Sequence, residues 1–172
     1  MPIIHLETLI EAPVELCFDL ARSVDIHMAS TNYTGERAID GVTSGMMNLH
    51  DEVTWEAVHF GVRQRLTSRI TAFDRPRMFT DEMQRGAFKY WRHTHSFESR
   101  ADGTLMIDDA DYASPLGLLG RIVDKLLLER HMTRLLVTRN NHIKKVAEER
   151  ARAGEAAALP GEVDTVTNVS PA

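Results

Sequence analysis

Cysteine occurs once in the 172 residues, as Cys17. A single thiol excludes an internal disulfide framework and any multi-cysteine zinc site, and it suits a reducing, cytoplasmic setting. An excess of positive charge is missing too: 20 Lys and Arg stand against 25 Asp and Glu, for a net charge of −5. The basic residues are scattered or alternate with polar ones, which is not the footprint of a nucleic-acid-binding surface. No run is long and apolar enough to span a bilayer, and the opening Met1-Pro2-Ile3-Ile4-His5 lacks the basic-then-apolar layout of a signal peptide, so a soluble protein is expected. Phosphate-cradling glycine loops, a Gly-x-Ser-x-Gly elbow and a dinucleotide fingerprint are all absent, which removes the usual nucleotide and hydrolase readings. There is no internal repeat.

What is present is periodicity. The longest helical pattern covers Ser114 to Arg150, opening on the breakers Ser114-Pro115 and Gly117. Leu119, Ile122, Val123, Leu126 and Leu127 recur at helical spacing, followed by Met132, Leu135, Leu136, Ile143 and Val146. So wide an apolar surface predicts that other structure wraps the first half and that only the second half has a wet side. Near the start, Ile4, Leu6, Thr8 and Ile10 alternate with His5, Glu7 and Glu11, the pattern of a half-buried strand. Pro13 suits the first position of a helix, and Leu16, Cys17, Leu20 and Ala21 carry that helix to about Ser23. A second short turn is expected over Asp25 to Ala29. Among apolar neighbours, Cys17 reads as a small core residue rather than a reactive thiol.

Between these helices lie six more candidate strands. Glu36 to Ile39 is a short edge strand ended by Asp40-Gly41. Val53, Trp55 and Ala57 then share one face against Glu52, Thr54 and Glu56, while Val62, Gln64, Leu66, Ser68, Ile70 and Ala72 oppose Arg63, Arg65, Thr67, Arg69 and Thr71. A tight turn near His59-Phe60-Gly61 sets Val53 across from Leu66, and the outer face becomes a solvated ladder of Glu and Arg. The next strand, Met78 to Gln84, puts Phe79, Asp81 and Met83 on one face. Phe88 to Glu98 follows, with Trp91, His93, His95 and Phe97 on one face, and a three-residue loop aligns Phe79 with His93. Thr104 to Ala113 is the last strand, with Met106, Asp108, Ala110 and Tyr112 on one side.

One strand, two short helices, six meandering strands and a long helix resemble the helix-grip fold of the START-like, Bet v 1-like superfamily, and within it the SRPBCC or polyketide cyclase/dehydrase and lipid-transport group. The residues carrying the resemblance are Ile10-Glu11-Ala12-Pro13 leading to Phe18-Asp19-Leu20, Asp51-Glu52-Val53-Thr54-Trp55 with His59-Phe60-Gly61, and Phe73-Asp74-Arg75-Pro76. The run His93-Thr94-His95-Ser96-Phe97, Gly103-Thr104 with Asp108, and Pro115-Leu116-Gly117 complete it. The resemblance implies an α+β domain over residues 1–150, a seven-stranded curved antiparallel sheet wrapped around the C-terminal helix, with residues 151–172 as a flexible tail. Fold alone does not give an activity.

The resemblance also implies a cavity between the concave sheet face and the long helix. Trp55, Leu66, Ile70, Phe79 and Met83 are its expected lining from the first strands. Trp91, His93, His95, Phe97, Met106, Asp108 and Tyr112 line it from the last two, and Leu119, Ile122, Val123 and Leu126 form its roof. Such a wall suits a lipid, quinone or polyketide-like ligand held by a few placed polar groups. If the last hairpin pairs His93 or His95 with Asp108, a carboxylate beside an imidazole favours the imidazolium while burial opposes it, giving a histidine that titrates near neutrality. His93, His95 and Asp108 can then be satisfied core residues, hydrogen-bond donors to a ligand, or the acid-base group of a cyclase or dehydratase. A regulatory module that binds a protein partner is a further alternative. No cofactor is expected. No metal is expected either, because an ion shared by His93, His95 and Asp108 would lack a closed ligand set. His131 reads as a surface residue amid charge.

Overall fold

Two-residue periodicity in the chain becomes seven strands in space. The computed structural model describes residues 3–59, 61–113 and 128–154. In order these form β1 (Ile3–Ile10), α1 (Val14–Ala21), α2 (Val24–Thr31), a single 3-10 turn (Asn32–Thr34) and β2 (Arg37–Gly41). Then come β3 (Glu52–His59), β4 (Val62–Asp74), β5 (Met78–Arg85), β6 (Tyr90–Arg100), β7 (Gly103–Ala113) and α3 (Glu129–Arg152). The strands make one antiparallel sheet in the order β1-β7-β6-β5-β4-β3-β2. Each neighbour pair except β1 and β7 is a sequential hairpin. Register shifts at Ala38/Asp40, Thr67/Ser68 and Ile70/Ala72 mark bulges, which bend and twist a strand and so help curl the sheet around the helices. This is the helix-grip fold.

Two expected registers move by two residues. Val53 faces Ser68 and Trp55 faces Leu66, because pairing runs on to His59 and Val62 and the turn falls one residue later than expected. Phe79 faces His95 rather than His93, and Asp81 faces His93, because the β5–β6 connection is longer than three residues. A slip of two keeps each side chain on its face, so the inward set is the one that alternation gives. In β7 the inward and outward residues alternate without exception, Thr104, Met106, Asp108, Ala110 and Tyr112 being buried.

Phe18 of α1 centres the core. Its ring meets Phe73, Phe79 and Phe97 edge-on at centroid distances of 5.3, 5.4 and 5.4 Å, pairs worth about 0.5–1.5 kcal/mol each beyond the area they bury. Cys17 is buried beside it, as its apolar neighbours imply. The second helix is fuller than one turn, running Val24–Thr31, and Ser23 caps it by accepting from the Ile26 N–H. The outer ladder forms as charge pairs: Glu52 with Arg69, and Glu56 with Arg37 and Arg65 at 3.0 Å each.

The last helix continues past Arg150 to Arg152 and ends at Gly154, whose φ of +77° is the left-handed conformation that glycine adopts without strain. Residues 151 and 152 therefore belong to the helix rather than to a tail. Its second half enters the core through Ile143 and Ala147, both without exposed surface. The expected start at Ser114, with the roof residues Leu119, Ile122, Val123 and Leu126, lies outside the described residues, as does the tail from residue 155. Among the described residues no helix is long and apolar enough to cross a membrane.

Candidate functional site

Between the concave face of β3–β6 and the first half of α3 lies a cavity of about 470 Å³. Alternation on the strands aims side chains into it, and the α3 stripe of Leu128, Met132, Leu135 and Leu136 closes it from the other side. Of the expected lining, Trp55, Leu66, Ile70, Phe79, Trp91, His93 and His95 stand in its wall. Met83, Phe97, Met106, Asp108 and Tyr112 do not. Phe97 and Met106 are spent on packing in the main core, Tyr112 packs against Trp91 and Phe88, and Met83 packs with that second cluster. Asp108, with no exposed surface, sits one layer behind the histidines.

The polar end of the cavity is a compact group. In the sheet His95 is the direct partner of Asp108, yet the hydrogen bond of 2.9 Å runs from His93 Nε2 to Asp108 Oδ1, one pair along. His95 Nδ1 lies 2.7 Å from the same oxygen but is not aligned for a hydrogen bond, so proximity of charge rather than a shared proton links them. The other carboxylate oxygen, Oδ2, accepts from Asn140 Nδ2 at 2.7 Å. On the cavity side, Asp81 Oδ2 is 3.4 Å from His95 Nε2 and 3.9 Å from His93 Nδ1. The imidazole rings lie 3.8 Å apart by centroid. Each ring is therefore set between two carboxylates, Asp108 behind and Asp81 in front.

Arg139 closes this end. Its Nη2 donates to the Ala21 carbonyl at 2.6 Å, while Nη1 lies 3.8 Å from Asp108 Oδ1 without making a hydrogen bond. Burial opposes ionisation of Asp108, but the two imidazoles prevail and hold its carboxyl well below the usual range. Asp81 is lowered in the same way, against its own desolvation, by His95, His93 and Arg139. Burial, together with the neighbouring His95, pulls His93 below the ordinary imidazole value despite both carboxylates. The environment thus favours the neutral form of His93, where the sequence alone predicts a balance near neutrality. Its N–H is given to Asp108, which leaves Nδ1 as a lone pair toward the cavity.

A second polar cluster lies toward the β3 side. His27 stacks on Trp55 at 4.1 Å, and its Nε2 lies 3.3 Å from Glu36 Oε2. His131, expected at the surface, instead lines the cavity and meets His59, with Nε2 and Nδ1 3.2 Å apart. Burial and the proximity of His59 and Arg134 lower the His131 pKa. Asp81, Arg139 and Asn140 are the further members that the candidate set lacks. The signal for each was available: Asp81 lies between Phe79 and Met83 on the inward face of β5, and Arg139-Asn140 fall on the α3 stripe between Leu136 and Ile143. Three residues can offer a cation one donor each here, since ligand atoms of Asp81, His93 and His95 lie within 4.8 Å of one another.

Comparison of the fold identifies many similar solved structures. TTHA0849 from Thermus thermophilus superposes with a TM-score of 0.66 at 18% identity, covering 85% of this chain and 99% of that one. Ginseng major latex-like protein 151 from Panax ginseng gives 0.61 at 15% identity over 85% of this chain and 97% of its own. Ara h 8.0201 gives 0.57 at 11% identity, covering 83% and 97%. No protein-family model and no curated protein sequence matches the chain. At these identities the likeness is one of fold: TTHA0849, Ara h 8.0201 and the ginseng protein share the helix-grip architecture described above.

Proposed function

We propose that the protein binds a hydrophobic small molecule, of lipid, quinone or polyketide-like chemistry, in the cavity under α3. The observation that carries this reading is the cavity itself. Its volume of about 470 Å³ falls within the roughly 300–1,000 Å³ of small-molecule sites, and its wall combines aromatic and aliphatic side chains with a few convergent polar groups. The apolar part, from Trp55 and Leu66 to Leu136, would hold the body of the ligand. At the polar end, His93, His95 and Arg139 are positioned to meet a carbonyl or hydroxyl. Native mass spectrometry of the purified protein, followed by displacement of an apolar fluorescent probe, tests the reading. Saturable displacement by one of these ligand classes is expected. A protein that carries nothing and releases no probe to any of them is not a carrier.

The His93–Asp108 hydrogen bond supports a second reading, a cyclase or dehydratase in which His93 moves the proton and Asp108 fixes its tautomer. That reading requires turnover of a polyketide or aromatic substrate to collapse in His93→Ala, His95→Ala or Asp108→Asn while the fold survives.

A further inference from the structure

The two histidines present a hydrogen-bonding imbalance. A neutral imidazole has one N–H and one lone pair, and each ring here lies between Asp108 and Asp81. His93 gives its N–H to Asp108 and keeps Nδ1 as a lone pair toward the Asp81 carboxylate, while His95 Nε2 makes a long hydrogen-bond contact of 3.4 Å with the same Asp81 oxygen, which an ion taking that nitrogen would replace. The three potential ligand atoms of Asp81, His93 and His95 thus converge within 4.8 Å of one another. Their separations, 3.4 and 3.9 Å from Asp81 Oδ2, compare with the roughly 3.4 Å between donors that bonds of about 2.0–2.2 Å impose in a tetrahedral site.

We propose that Asp81, His93 and His95 form a binding site for a divalent first-row transition-metal ion at the polar end of the cavity, with Asp108 behind both rings as the carboxylate that orients His93. Two histidines and one carboxylate are the donor set of open, ligand-accepting metal sites. Asp108 occupies the place of the outer carboxylate that turns a ligating histidine and raises its basicity. It is itself fixed by Asn140. Charge favours the ion as well: Asp81 and Asp108 against Arg139 leave one net negative charge when the imidazoles are neutral. Asp81, His93 and His95 all border the cavity, so the remaining coordination positions would face a bound molecule's oxygen. The site stands independently of whether the cavity carries a lipid.

The test is titration of the metal-free full chain with Co²⁺ and with Zn²⁺. One equivalent per chain is expected, with visible Co²⁺ absorption of a low-coordinate nitrogen-oxygen site that Zn²⁺ abolishes. His95→Ala and Asp81→Asn should each weaken binding at least a hundredfold, and Asp108→Asn about 10–100-fold, the usual effect of losing an outer-shell partner. His59→Ala with His131→Ala, the other imidazole pair, should leave the stoichiometry and spectrum unchanged. Should the buried variants fail to fold, anomalous diffraction from a Zn²⁺-soaked wild-type crystal decides the matter by placing the ion against Asp81, His93 and His95 or elsewhere. No saturable binding by the wild type, binding that survives in both ligand variants, or an ion held at His59 and His131 overturns the proposal.

Discussion

Asn140, in the middle of α3, donates from Nδ2 to Asp108 Oδ2 at 2.7 Å and so ties the helix to β7 directly behind both histidines. The bond joins residues buried to 2% and 0% exposure, respectively, and its acceptor is ionised, which places it among the stronger hydrogen bonds. Asn140→Leu removes the donor and leaves a carboxylate oxygen buried without it. A loss of about 2 kcal/mol is expected, within the range for hydrogen bonds to charged groups, read as a lower urea midpoint at unchanged slope. An unchanged midpoint would show that α3 is held by Ile143 and Ala147 alone.

The chain has two tryptophans, Trp55 and Trp91, and both line the cavity while being 8% and 7% exposed. Entry of an apolar ligand must therefore alter the surroundings of every indole in the protein. Tryptophan emission should change saturably on ligand addition, in intensity with a quinone and in wavelength with a lipid. Leu66→Trp, which fills the lumen from β4, should weaken that response at least tenfold with little change in melting temperature. Emission that ignores a ligand shown by mass spectrometry to be bound would place that ligand outside the cavity.

Alternation made the inward face of each strand legible because a side chain's facing depends only on parity along the strand. Thus Trp55, Phe79, Trp91 and the His93–His95 pair appear where the pattern puts them, even though two hairpin registers moved by two residues. Depth was not legible. Met106 and Tyr112 share parity with the cavity wall, yet Met106 packs in the cluster that α1 enters and Tyr112 in the one formed with Ile4 and Leu136, and that follows from the sheet order rather than from the strand. Partners drawn from distant segments were hidden for the same reason. Arg139 and Asn140 lie on the helix stripe, but a charged and an amide side chain on an apolar stripe become meaningful only once Asp108 is known to lie opposite.

Asp19 makes the acid stability of the fold depend on two arginines. Its carboxylate accepts from Arg22 Nε at 2.8 Å and from Arg75 Nη2 at 2.6 Å. Desolvation opposes its ionisation, but these partners outweigh it and lower the pKa. A folded value below the unfolded one of about 3.9 means that the stabilisation is fully present above that unfolded value and is lost as pH falls through the folded one. Asp19→Asn should cost about 2 kcal/mol near neutrality, less than the roughly 3–5 of a fully buried pair because the Arg75 side chain is 38% exposed. The gap between variant and wild type should close progressively below about pH 4 in denaturation series. A gap independent of pH would mean that Asp19 acts through packing and not through its charge.

Cys17 is the one thiol in the chain, and its chemistry is set by the same core that holds α1 against the sheet. Burial pushes its pKa up to about 11, against a weaker opposing pull from a hydrogen bond with Thr104. Its sulfur has no exposed neighbourhood, lying 3.9 Å from the Ala12 carbonyl in a residue with 0% exposure. At pH 7 only about one molecule in ten thousand would carry the reactive thiolate, and access limits even that fraction. Modification by a disulfide reagent should therefore proceed only through opening of the fold, with a rate that rises with denaturant in step with unfolding. Cys17→Ala should lower stability by about 1 kcal/mol, as the loss of a small buried group does, without altering ligand or metal binding in the cavity, whose wall Cys17 does not join. Rapid stoichiometric labelling of the native protein would require α1 to open locally, and hydrogen exchange over Leu16 to Leu20 would then show the same low protection.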